Sequence, residues 1–96
     1  MIVHIALFRW RSDVSESQID KVMVNIKNLK SQIKDVIEIM CGKNFSKYSD
    51  GFTHAVVVTF KDRKGLDAYR AHPAHRPIAK MVDSMEEKSI GIDFES

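Results

Sequence analysis

Two stretches of nine residues, Ile2–Trp10 and Phe52–Phe60, alternate with the period of a β-strand yet carry apolar side chains on both faces. In the first, Ile2, His4, Ala6, Phe8 and Trp10 share one face; Val3, Ile5, Leu7 and Arg9 share the other. In the second, Phe52, His54, Val56, Val58 and Phe60 oppose Ala55 and Val57, which Thr53 and Thr59 flank. Strands of this kind must be covered on both faces. The fold therefore cannot be a sheet with one face left to water.

The remaining chain supplies what packs against them. Ser15 is a good N-cap and Gln18 completes a capping box with it. Ile19, Val22, Ile26, Leu29 and Ile33 then recur at helical spacing, which predicts a helix over about 15–32. Val24 is the one apolar residue on its polar side. Residues 36–42 read as a second strand, with Ile37, Ile39 and Cys41 on one face. A turn-rich connection over 43–51 ends in Asp50-Gly51. After the strand over 52–60 and a basic turn, a short helix over about 64–71 carries Leu66 and Tyr69. Ile78, Met81, Val82 and Met85 mark another helix, starting at Pro73 or as late as Pro77 and running to about 86. In the last strand, 89–94, Ile90, Ile92 and Phe94 alternate with Gly91 and Asp93. The order suits a single α+β domain over residues 1–96: a ferredoxin-like four-stranded antiparallel sheet with helices on one face.

Helices on one face leave the other open. That face would carry Val3, Ile5, Leu7, Ile37 or Ile39, Val57, Ile90 and Ile92. Exposing one such side chain forgoes about 1.5–3 kcal/mol, and together they approach roughly ten. Two sheets packed face to face in a twofold homodimer remove the penalty.

Composition excludes some partners. A net charge of +2 is too small to argue for nucleic acid, and no recognition motif is present. The single cysteine, Cys41, allows no internal disulfide and fits a reducing compartment. The opening residues have no basic leader, and Arg9 interrupts the apolar run, so neither a signal peptide nor a membrane span is expected. The expectation is a soluble cytoplasmic protein.

The chemistry concentrates in Tyr69-Arg70-Ala71-His72-Pro73-Ala74-His75-Arg76-Pro77. Pro73 forces His72 out of the helical region, so one helix ends at this corner and the next begins there. His75 then lies near a helix N-terminus, where partial positive charge disfavours imidazolium. A neutral imidazole with an acidic partner is what a general base requires. The same residues also read as scaffolding: His72 capping a helix, His75 bound to a backbone carbonyl, Tyr69 in the core. If the purely apolar strand faces make the dimer, His4, His54 and Asp93 point toward the helices, into the space that Tyr69 and His75 face. Ala6 and Gly91 leave room there for a ligand, with Phe8, Val56 and Val58 as apolar lining.

The opening Val-His-Ile-Ala-Leu-Phe, the Thr-His-Ala-Val-Val-Val-Thr-Phe strand and the Tyr-x-x-His-Pro-x-His corner resemble the stress-responsive dimeric A/B barrel family. The resemblance covers nearly the whole chain and implies a ferredoxin-like protomer whose two sheets form a dimeric α/β barrel. The family includes stress-induced plant proteins, uncharacterised bacterial proteins and polyketide cyclases of the olivetolic acid cyclase type. In those cyclases a histidine of the corner is the base, a carboxylate on the last strand orients it and a tyrosine on the preceding helix assists. The resemblance places these roles on His75, Asp93 and Tyr69, with His4 and His54 lining the pocket. The corner continues here as Arg76-Pro77, which would narrow or charge the entrance.

Two functions compete. One is cofactor-independent acid/base chemistry on a small carbonyl compound, of cyclase or isomerase type: His75 abstracts a proton, Asp93 fixes its tautomer and Tyr69 stabilises oxyanion character. Six basic residues between 61 and 80, against two acids, could attract an anionic substrate or form a solvated face. The other is a non-catalytic, stress-related ligand-binding or assembly dimer. A metal site at His72 and His75 with Asp93 is a third arrangement, weighed against His72 pointing outward at the corner; no metal or cofactor is expected.

Overall fold

The computed structural model describes residues 1–96. The chain runs β1 (Ile2–Trp10), α1 (Glu16–Gln32), β2 (Val36–Lys43), β3 (His54–Phe60), α2 (Arg63–Ala71), α3 (His75–Met85) and β4 (Glu86–Glu95). The strands form one antiparallel sheet in the order β2-β3-β1-β4, with the three helices on one face. This is the ferredoxin-like arrangement expected, with the two doubly apolar strands at its centre.

Local chemistry sets the helix starts. Ser15 Oγ accepts from the Gln18 N–H at 3.2 Å, and Gln18 Oε1 accepts from the Ser15 N–H at 2.8 Å. Asp62 caps α2 by accepting from the Gly65 N–H at 2.9 Å, so this helix begins inside the expected basic turn. α3 starts at His75, between the two prolines, and Pro77 falls in its first turn, where the missing N–H costs no intrahelical bond. Met85 passes straight into β4 at Glu86, three residues before the expected strand start, with no loop between.

The core lies between sheet and helices, with Leu29, Ile33, Val58 and Phe60 buried deepest. β2 departs from simple alternation. A bulge between Val36 and Glu38 leaves Ile37 without a register partner. Ile37 is 48% exposed, whereas Ile39 is 3% exposed in the core. The expected common face of Ile37, Ile39 and Cys41 is therefore broken. Met40 (58% exposed) and Ile37 flank the open face, and Ile39 and Cys41 turn to the helices.

The open face is apolar, as the alternation implied. Ile5 pairs with Val57 on one side and Ile92 on the other; Leu7 pairs with Ala55 and Ile90; Val3 pairs with Phe94. Ile90, Ile92 and Phe94 are exposed in the single chain. No helix is long and apolar enough to cross a membrane.

Candidate functional site

The register of β1 with β4 sets His4 directly opposite Asp93, both on the helix side. His4 Nδ1 lies 2.5 Å from Asp93 Oδ1. The last turn of α2 brings Arg70 to the other oxygen, with Nη2 donating to Oδ2 at 2.6 Å. Burial pushes the Asp93 carboxyl up, but the hydrogen bonds from His4 and Arg70 and their charges outweigh it and hold the group below its ordinary range. An ionised Asp93 accepts from Nδ1–H of His4, which leaves Nε2 as the acceptor nitrogen.

The α2–α3 corner brings in the other groups. His72 ends α2, and its Nδ1 accepts from the Ala74 N–H at 3.0 Å, so it locks the turn. That matches its reading as a cap and occupies a nitrogen the metal arrangement would need. No cluster of three or more His, Cys, Asp or Glu side chains could hold a metal ion. His75 opens α3 with its ring 4.4 Å from that of Tyr69, which also packs 5.3 Å from Phe60 and 6.3 Å from His4. Tyr69 is buried, and burial pushes its hydroxyl up to about 12, with the Arg70 charge pulling the other way. Burial lowers His75 below its ordinary 6.5; the Arg70 carbonyl opposes this, and the charges of His4 and Arg70 add to it. His75 Nδ1 is buried without a hydrogen-bond partner.

His4, Tyr69 and His75 share a cavity of about 180 Å³ between sheet and helices. Ala6, Phe8 and Val56 form its floor, and Ile26 and Leu29 of α1 with Ile78 and Val82 of α3 form its apolar walls. Asp83, Glu86 and Ser89 stand along one side. An engineered apolar cavity of about 150 Å³ admits benzene, so this one suits a molecule of roughly one ring with a small substituent.

Six of the residues expected at the site line this cavity: His4, Ala6, Phe8, Val56, Tyr69 and His75. Three do not. Asp93 stands behind His4, and both its oxygens are taken by His4 and Arg70, so the carboxylate orients His4 rather than His75. His54 opens β3 at the end of the strand beyond Val56, where Trp10 Nε1 donates to its Nδ1 at 2.9 Å. The same nitrogen is 2.9 Å from Thr53 Oγ1, and burial, then the Lys43 charge, lower this histidine. Val58 is fully buried between its register partners His4 and Ile39. The basic residues of 61–80 do not line the cavity either: Arg70 is bound to Asp93, and Arg63 lies 3.6 Å from Glu95.

The residues not foreseen have two origins. Ile26, Leu29, Ile78 and Val82 belonged to helical stripes recognisable as core, and their position over the cavity depends on helix packing. Asp83, Glu86 and Ser89 reach the cavity because α3 and β4 join without a loop. Gly and Pro, the strongest marks of a break between elements, are absent from this junction.

The family described as "Stress Responsive A/B Barrel Domain" (Dabb) matches residues 2–96. The chain is 29% identical to olivetolic acid cyclase from Cannabis sativa, over 97% of this chain and 94% of that protein. Among solved structures it is similar to a hydroxynitrile lyase from Passiflora edulis, with TM-score 0.90 and 26% identity over 97% of this chain and 90% of that one. It is also similar to a dimeric ferredoxin-like protein of unknown function from Thermobifida fusca, with TM-score 0.88 and 27% identity over 99% and 90%.

Proposed function

The chain belongs to the stress responsive A/B barrel domain family, and from that premise we propose that it is a homodimeric, cofactor-independent enzyme moving a proton on a small carbonyl compound. The observation that carries the reading is the convergence of His4, His75 and Tyr69 on one cavity, with Asp93 and Arg70 buttressing His4 from behind. Asp93 holds Nδ1–H of His4, so Nε2 is available to take a proton, and the carboxylate compensates the charge that results. His75 is the second proton carrier; burial keeps it neutral at pH 7. Tyr69 keeps its proton, with its hydroxyl at about 12, and serves as the donor to a carbonyl or enolate oxygen. Relatives named as a cyclase and as a hydroxynitrile lyase support the enzymatic reading.

The dimer follows from the open sheet face. Val3, Ile5, Leu7, Val57, Ile90, Ile92 and Phe94 form one apolar surface, and a second copy of the same face is the partner that buries it symmetrically. The description of a structural neighbour as dimeric supports this association.

The test is deuterium exchange at the α-carbon of small ketones, acetone and acetophenone, followed by NMR in D2O. Exchange above the buffer rate, cut tenfold or more by His75→Ala and by His4→Ala, is the expected result. Wild-type exchange no faster than buffer across the series overturns the enzymatic reading. The largely apolar lining of the cavity favours one second reading, a ligand-binding dimer without turnover. Ketone-induced NMR shifts at cavity residues without exchange would identify it.

A further inference from the structure

The cavity has a charge asymmetry that the catalytic groups do not explain. No lysine or arginine lines it, yet two carboxylates do: Asp83 from the last turns of α3 and Glu86 from the first residue of β4. Glu86 is half-buried, and Ser89 Oγ donates to its Oε1 at 3.3 Å, fixing the side chain at the edge of the cavity. Asp83 is close enough to act electrostatically on both Glu86 and His75, so the acidic side and the histidine side belong to one small space. The Arg70 guanidinium does not line the cavity and is paired with Asp93 behind His4, although its charge still reaches His75. A carboxylate ligand in this space would meet like charge on one side and no lysine or arginine on the lining. A neutral group would meet hydrogen-bonding partners, and an ammonium group would meet opposite charge.

We propose that the cavity selects small carbonyl compounds that are neutral or carry an amine, and rejects carboxylates, with Asp83 and Glu86 as the residues that set this preference. The inference rests on the reading of this cavity as the working site and narrows its substrate class, against the anionic class suggested by the basic run over 61–80. Its volume of about 180 Å³ restricts that class further, to compounds of roughly one ring.

The experiment compares three probes of matched shape, benzylammonium, benzyl alcohol and benzoate, by NMR titration of the full-length protein at pH 7. The expected order has benzylammonium and benzyl alcohol shifting the resonances of Ala6, Ile78 and Val82 with benzoate at least about fivefold weaker. Asp83→Asn with Glu86→Gln should bring benzoate within about twofold of the alcohol. Asp83→Asn alone, at an exposed position, should move the ratio part of the way and guards against misfolding of the double variant. Benzoate binding as tightly as the other two, a preference unchanged in both variants, or no binding by any probe overturns the proposal. Because the readout is binding and not turnover, a protein that shows the charge preference but no deuterium exchange refutes the catalytic reading alone.

Discussion

His4 and Asp93 meet across the antiparallel pair of β1 and β4, Nδ1 2.5 Å from Oδ1, although 89 residues separate them in the chain. The contact makes the last strand part of the site on the first, and Arg70 ties α2 to both.

Asp93→Asn should cost activity and remove an acid-dependent contribution to stability. The Asp93 carboxyl is held below its ordinary 3.8, so the folded state binds this proton less readily than the unfolded chain. Its contribution is fully present above about pH 4 and is lost as pH falls through the depressed value. Urea midpoints of wild type and Asp93→Asn should differ most at pH 6 and converge below pH 3.8. A constant offset at all pH values would mean that the contact is not ionic. Turnover in the variant should fall tenfold or more, because the neutral amide can donate to Nδ1 and present the wrong tautomer of His4.

His54 and His75 predict the opposite partner of acid loss. Both are lowered below 6.5, chiefly by burial, so below that pH the unfolded chain takes up protons that the folded protein refuses. Stability is therefore retained above about 6.5 and falls as pH drops from there toward each lowered value. NMR titration should show both imidazoles charging below 6.5. Asp93→Asn should move the imidazole resonances of His4 at neutral pH more than those of His75, because the carboxylate is bound to His4. A larger change at His75 would restore the pairing expected from the family resemblance.

Ile92→Glu should break the proposed homodimer into monomers with the helix-side cavity intact. Ile92 lies opposite Ile5 on the open face and is 42% exposed in the single chain. Each apolar side chain of this kind contributes about 1.5–3 kcal/mol when buried, and a carboxylate in its place adds an unpaired charge at each copy. Light scattering on wild type and variant gives the answer. A wild-type mass of one chain, or an unchanged dimer in the variant, counts against association through this face.

Leu29→Ala should lower folding stability by about 2–5 kcal/mol, as truncation of a fully buried leucine does when the site cannot collapse. Val24→Ala, on the exposed side of the same helix, should stay within about 0.5 kcal/mol. Urea denaturation at pH 7 checks both. Leu29 also lines the cavity, so the variant that loses stability should at the same time admit larger ligands than the wild type.

Much of the site could be read from the residues because the chemistry is local. Pro73 ends α2 at the residue before it and Pro77 is tolerated in the first turn of α3, so His75 lies at a helix start and Tyr69 in the last turn of the helix before it. Alternation put His4, Ala6 and Phe8 on one face of β1 without any knowledge of its neighbours. His54 satisfied the same alternation and yet lies elsewhere, since alternation gives the face but not the position along the strand, and Trp10 binds it there. Ile37 and Ile39 were assigned one face because a bulge depends on the partner strand.

The sequence by itself determined the element order, the capping of α1, the two-faced apolar strands and the corner that carries His75. Each depends on interactions within a few residues or on a period of two or 3.6. Only the tertiary structure decided which histidine Asp93 holds, where His54 ends up, and that Asp83 and Glu86 face the cavity. Those outcomes depend on strand register and on helix packing across long loops of chain. A shift of one residue in register reverses every side chain, and no local signal carries that information.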